Sequence, residues 1–199
     1  MMSGTLLCRV GFTRTTSTFA IILSMVFIGF LVVSAKADER MIEDFTSNPE
    51  TRWAFFTDQV MGGVSNGEAS FAREANENYV RLRGKVSTEN NGGFIQIRTK
   101  LESRIPRSAQ GITLTVRGNG EEYFLHVRTP GTVLPWQYYQ ASFTTTHDWK
   151  EILIPFDSFK PSGRTFRASL RPQSARSIGV VAYGRDYDAD VSVASVGFY

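Results

Sequence analysis

The chain has 199 residues, with 19 acidic and 22 basic side chains and one cysteine. That length suits one domain with at most an appendage, and a lone cysteine excludes both an internal disulfide and a multi-thiolate metal cage. Arg9, Arg14 and Lys36 lie in an N-terminal segment expected to be removed, and without them the formal charges balance. The basic excess is therefore no argument for nucleic acid or an anionic membrane as partner.

Met1 to Ala37 reads as a secretory signal peptide. It has no acidic residue, places Arg9 and Arg14 ahead of an apolar run from Phe19 to Val33, and closes on Ala35-Lys36-Ala37, a small-x-small site. Cleavage after Ala37 would put Asp38 at the mature N-terminus, export the protein to the periplasm or beyond, and discard Cys8. Two other readings stay open. An uncleaved anchor would need about 20 apolar residues to cross the hydrocarbon, and this run is broken by Ser24 and Gly29. A mitochondrial presequence would be amphipathic rather than solidly apolar. Membrane association is expected only in the anchored case.

Residues 38–199 are expected to form one all-β domain. Asp38 to Thr51 enters as an irregular arm, with a first strand near Trp53. From Tyr79 onward the chain alternates in twos, the period at which successive strand side chains point to opposite faces. Val80 and Leu82 oppose Tyr79, Arg81 and Arg83; Ile95 and Ile97 oppose Gln96 and Arg98; Ile112, Leu114 and Val116 oppose Thr113, Thr115 and Arg117. Further strands are expected at Tyr123 to Arg128, Tyr138 to Phe143, Ile152 to Phe156, Ile178 to Tyr183 and Val191 to Phe198. Turn chemistry separates them at Asn91-Gly92-Gly93, Gly118-Asn119-Gly120, Pro130-Gly131 and Pro161-Ser162-Gly163. Asn66-Gly67 suits a tight hairpin. No helical stripe is sustained, although Ala168 to Ser177 has room for a turn or two. Many short strands with glycine-rich turns argue an antiparallel sandwich or jelly roll.

One stretch is more specific: Trp53-Ala-Phe-Phe-Thr-Asp58-Gln-Val-Met61-Gly62-Gly63-Val64-Ser65-Asn66-Gly67. Paired glycines there allow positive φ or a close approach of another segment. With Asn91-Gly92-Gly93-Phe94, Val116-Arg117-Gly118-Asn119-Gly120, Tyr139-Gln140-Ala141, Trp149 and Ile154-Pro155-Phe156, it resembles the complex I intermediate-associated protein family. The resemblance implies a galactose-binding-like jelly roll and the work of an assembly factor or chaperone of NADH:ubiquinone oxidoreductase. The chain departs from that pattern at Gly184 to Asp190, where the family has a Gly-Pro-Phe-like step. A secretory leader also stands where a mitochondrial presequence would.

Few residues suggest chemistry. Gly63-Val64-Ser65-Asn66-Gly67 matches a hydrolase nucleophile elbow, but that elbow needs a strand-to-helix turn in a parallel sheet, so a structural role is expected. His147-Asp148 reads as a polar turn. Asp186, Asp188 and Asp190 are a weak candidate cation site, set against a solvated acidic edge. No metal or cofactor is otherwise expected. The strongest candidate is a face. If Ile95, Ile97, Leu114, Val116, Leu125 and Val127 fill the core, the opposite side presents Gln96, Arg98, Thr115, Arg117, His126, Arg128 and Gln140, flanked by Trp136, Tyr138 and Tyr139. Were those strands neighbours in one sheet, Arg98, Arg117 and Arg128 would converge in a donor-rich groove. The alternatives are a plain solvated face or arginines paired to Glu121 or Glu122. Trp53, Phe55, Phe94, Trp149, Phe156 and Phe159 are expected as core residues or staples rather than binding plates.

The expected function is non-catalytic binding of a protein partner by an exported assembly factor or chaperone, with a carbohydrate-binding module as the alternative. Coplanar exposed aromatic rings would favour the sugar; an apolar or arginine-rich patch without them would favour the protein.

Overall fold

The computed structural model describes residues 41–164 and 166–199; the leader, its cleavage point and Cys8 lie outside them. The described chain forms β1 (Met41–Glu43), β2 (Ala54–Thr57), β3 (Asn66–Glu74), β4 (Glu77–Val86), β5 (Phe94–Lys100) and β6 (Gly111–Gly118). There follow β7 (Glu122–Arg128), β8 (Tyr139–Thr144), β9 (Lys150–Pro155), β10 (Lys160–Pro161), β11 (Ser177–Tyr183) and β12 (Tyr187–Phe198). The described helices are single 3-10 turns, one of them at Pro172–Ser174 inside the span that left room for it. None is long and apolar enough to cross a membrane.

The strands make two antiparallel sheets. The first runs β3-β4-β12-β6-β9, with β1 also pairing to β12; the second runs β10-β8-β7-β11-β5-β2. Alternation decides what lies between them. Val80, Leu82, Ile112, Leu114, Val116, Val191, Val193 and Val196 come from the first sheet; Ile95, Ile97, Tyr123, Leu125, Val127, Ile178, Val180 and Phe143 come from the second, and all are buried. Each such side chain taken fully from water is worth about 1.5 to 3 kcal/mol. No disulfide is needed to explain how this antiparallel jelly-roll sandwich holds together.

Three expectations about individual strands change. The arm is not wholly irregular, since its Met41–Glu43 pairs with β12 and is the first strand, ahead of the one beside Trp53. Asn66-Gly67 is not a hairpin turn: Asn66 opens β3, and Gly67 lies opposite Gly84 in the β3-β4 ladder. A Cβ on Gly67 would stand 2.4 Å from the Arg83 carbonyl oxygen, so the glycine serves a close approach of two backbones. The real turn joins Glu74 to Glu77. The last strand begins at Tyr187, earlier than expected, because Asp188 and Asp190 still lie in the ladder opposite Lys85 and Arg83. β12 is therefore central in its sheet, and its aspartates form no acidic edge.

The arm is fastened by one buried carboxylate. Glu43 accepts from Arg52 Nη2 (2.7 Å), from Trp53 Nε1 (2.9 Å) and from the Phe45 N–H (2.8 Å). Glu43 and Arg52, so engaged, line a hollow of about 620 Å³ together with Asp44 and Lys100.

Candidate functional site

The outer face of the second sheet can be laid out from its registers, since directly opposed residues of antiparallel strands share a side. One row reads Phe56, Gln96, Val181, Phe124 and Ser142 from β2 through β5, β11 and β7 to β8. The next reads Ala54, Arg98, Gly179, His126, Gln140 and Lys160. Phe94 and Tyr183 pair beyond the first row, and Arg128 sits beyond the second opposite Ser177. Gln96, Arg98, His126, Arg128 and Gln140 are thus brought onto one face, as alternation implied.

A groove of about 560 Å³ lies on this face. Its floor holds Gln96, Arg98, His126, Arg128, Val181 and Tyr183, and its rim carries Val60, Met61, Phe94, Pro135 and Trp136. Val60 is 74% exposed, Met61 55% and Trp136 60%. Three apolar side chains held out in water around one hollow are what an interaction surface looks like.

Half of the rim is built by a single carboxylate. Asp58 is fully buried, and it accepts from the Ser65 N–H (2.9 Å), the Ser65 hydroxyl (2.5 Å) and the N–H groups of Gly93 (2.6 Å) and Phe94 (3.3 Å). Gly63 and Gly92 pack on it so closely that a Cβ on either would fall within 2.4 Å of a carboxyl atom. Gly62 (φ 90°) and Gly93 (φ 121°) supply the left-handed backbone on either side. The double-glycine stretches are thereby explained as one clamp that joins the Val60-Met61 turn to the Asn91-Gly92 turn. Ser65 is consumed by it too, since its hydroxyl oxygen also accepts from the Ser87 N–H (2.9 Å). β3 follows Ser65 where an elbow would need a helix.

The floor is electrostatically one-sided. His126 stacks on Tyr138 at 3.9 Å between ring centroids, and burial pushes its pKa down to about 3, so the ring is neutral at pH 7. Burial also raises the Tyr138 hydroxyl's pKa, keeping it protonated. The remaining formal charges are two guanidiniums. Arg128 Nη2 donates to the carbonyls of Thr132 (3.0 Å) and Leu134 (2.9 Å). Arg98 lies over the Phe56 ring at 4.6 Å; its pKa is lowered by burial first and by the nearby Arg128 charge second. No carboxylate is among the described residues lining the groove.

Several expectations for this face are corrected. Arg117 is not part of it: β6 belongs to the first sheet, where Arg117 pairs with Glu74 and lies over Trp149 (4.6 Å) and Tyr79 (5.2 Å). Thr115 is on that sheet too, accepting from the Ser195 hydroxyl (2.8 Å). Glu121 pairs with Arg185 rather than with a groove arginine. Tyr139 points the other way, into the core, and donates its hydroxyl hydrogen to the Arg167 carbonyl (2.9 Å). Phe94, expected in the core or as a staple, stands instead on the groove rim; Trp53 and Phe159 are buried, Phe55 and Phe156 pack partly buried against the core, and Trp149 lies against Tyr79 and Arg117 on the first sheet. Among the described residues no cluster of carboxylates and histidines is placed to hold a metal. Asp190 is forked by Arg81, and Asp186 accepts from the Thr88 N–H (2.6 Å) and hydroxyl (2.7 Å), so two of the three aspartates are taken into separate structural duties.

Val60, Phe56 and Tyr183 belong to the site and were not singled out. Val60 and Met61 carried a readable signal, two apolar residues in a glycine-rich loop. Phe56 and Tyr183 carried none, since their rows depend on which strands are neighbours.

Residues 43–191 match the model of the family described as Complex I intermediate-associated protein 30. No curated protein sequence matches the chain. Among solved structures it is similar to a family 11 carbohydrate-binding module from Clostridium thermocellum in complex with a β-1,3-1,4-mixed-linked tetrasaccharide. That likeness has a TM-score of 0.66 at 17% identity and covers 80% of this chain and 94% of the other. The family 11 module of the cellulase Lic26A-Cel5E from Clostridium thermocellum gives a TM-score of 0.66 at 18% identity over 80% and 93%. An exo-β-agarase gives 0.56 at 11% over 80% of this chain and 24% of its own. At such identities the likeness is one of fold.

Proposed function

Because the chain belongs to the complex I intermediate-associated protein 30 family, we propose that it is a binding domain, an exported assembly factor or chaperone holding a segment of another protein in the groove of the second sheet. The observation that carries this reading is the rim: Val60, Met61 and Trp136 stand exposed around a floor bearing Arg98 and Arg128. Apolar anchors around a polar floor suit a peptide, whose side chains fill pockets while its backbone finds donors. The floor rings do not form a sugar platform, since Tyr138 and Tyr183 meet at 80° and His126 covers one face of Tyr138.

Carbohydrate binding is the second reading. It is favoured by the exposed Trp136 ring and by the fold shared with a module seen in complex with a mixed-linked tetrasaccharide. The two are separated by one pair of measurements. Partner capture by the exported protein should fail for Met61→Glu and Trp136→Ala variants that still melt normally. Retardation of the unaltered protein on a mixed-linked β-glucan gel, abolished by Trp136→Ala, would replace the protein reading with the sugar one.

A further inference from the structure

Two guanidiniums set into one apolar-rimmed groove need counter-charge. Some arginines of this chain find it in a carboxylate: Arg117 has Glu74, Arg81 has Asp190 and Arg185 has Glu121. Arg98 and Arg128 have no such partner and share one groove. Neither forms an ion pair among the described residues, and the lining contains no carboxylate. Arg98 is half-buried and donates no hydrogen bond to any described residue; its face rests on Phe56 and its donors are left for something else. Five donors in a fixed fork match a carboxylate's two oxygens better than any neutral acceptor.

Spacing extends the argument. Arg98 and Arg128 flank β11, whose Gly179 lies directly opposite Arg98. A Cβ at Gly179 would come 3.4 Å from Arg98 Cβ and 2.9 Å from the Ile97 carbonyl oxygen, so the missing side chain keeps the floor open between the two cations. Two strand spacings plus a two-residue offset put their Cα atoms roughly 12 Å apart. An extended peptide covers that span in about four residues, with alternate side chains on one side.

We infer that the segment held in the groove is acidic, presenting one carboxylate to Arg98 and a second, about four residues along, to Arg128, with an apolar side chain between them against Trp136 and Met61. This rests on the protein-binding reading above and deepens it. The charge pattern also predicts its sensitivities: binding should weaken as salt rises. It should survive titration through pH 6 to 7, because His126 stays neutral there.

The test is selection of random dodecapeptides displayed on phage against the protein produced from its full-length gene. The expected result is several-fold enrichment of Asp or Glu at two positions about four apart, with an apolar residue between. Arg98→Gln and Arg128→Gln baits should lose that enrichment, each weakening a selected peptide by about tenfold or more, while melting within a few degrees of the parent. Arg98→Lys, which keeps the charge, should retain the acidic preference in part. Groove-dependent peptides without acidic enrichment would overturn this inference and leave the protein reading standing. Peptides that a Trp136→Ala bait selects equally well would remove the groove, and both readings with it. Arginine-dependent binding of polygalacturonate, where no peptide is selected, would move the carboxylates onto a polysaccharide and overturn the proposal.

Discussion

Replacing Asp58 by Asn keeps its volume while removing the charge and one acceptor oxygen from a fully buried clamp. Four donors converge on that carboxylate, and an Asn amide would turn its NH₂ toward some of them. A loss of about 2 to 4 kcal/mol is expected, as for buried hydrogen bonds to a charged group. Thermal denaturation reads it, and a melting point within two degrees of the parent would show that the glycine turns hold themselves. At His126 the sign of the pH dependence follows from burial. The unfolded imidazole takes a proton below about 6.5, whereas the folded one resists until about 3. Protons therefore favour the unfolded chain across that window: the stability is fully present above pH 6.5 and falls as pH drops, by at most about 1.4 kcal/mol per unit. A His126→Leu protein should show a shallower decline between pH 6 and 4; an unchanged slope would mean that carboxylates alone set the acid limit.

At the scale of strands, Arg117 tests which sheet matters. Arg117→Gln removes an exposed ion pair with Glu74 and the guanidinium over Trp149, contacts worth roughly 1 to 2 kcal/mol together. Groove binding should stay as it was, because Arg117 lies on the far side of the sandwich. Weakened binding in a folded Arg117→Gln protein would put the site on the first sheet instead. The same residue marks where sequence reading ran out. Alternation gave the side of each strand on which Gln96, Arg98, His126 and Arg128 stand, because period two is local. It could not say that β6 and β7, consecutive in the chain, join different sheets while β11 inserts between β5 and β7. Those pairings are long-range, and no local pattern encodes them. Asn66-Gly67 failed for a related reason: a glycine that lets two backbones approach is written with the same letter as one that turns a hairpin. The glycine clamp was legible as a motif, and its centre, Asp58, only as one member of it.

For the whole molecule, the balance of charge and the route of export belong together. We propose that residues 1–37 are removed, so that the working protein begins at Asp38 with its formal charges balanced and no cysteine. Intact-mass measurement of the exported protein should return a species starting at Asp38; a membrane-bound form retaining Met1 would make the segment an anchor. The absence of cysteine from residues 38–199 makes a further expectation simple, that folding outside the cytoplasm needs no oxidant and that reductant leaves the melting temperature unchanged.

The Asp58 clamp bears finally on how fast a partner is engaged. Its bonds are all within the chain, so the Val60-Met61 and Asn91-Gly92 turns of the rim are tied to each other before any partner arrives. Loops that must be ordered on binding cost about 0.5 to 1.5 kcal/mol for each immobilised side chain, and here that ordering is done during folding. Encounter should therefore be a single step, with an observed rate that rises linearly with partner concentration and an association rate constant of roughly 10⁵ to 10⁷ per molar per second. Loosening the clamp should make that rate level off as rim closure becomes limiting, so a change made some distance beneath the binding surface would surface as a lag in the time course of association.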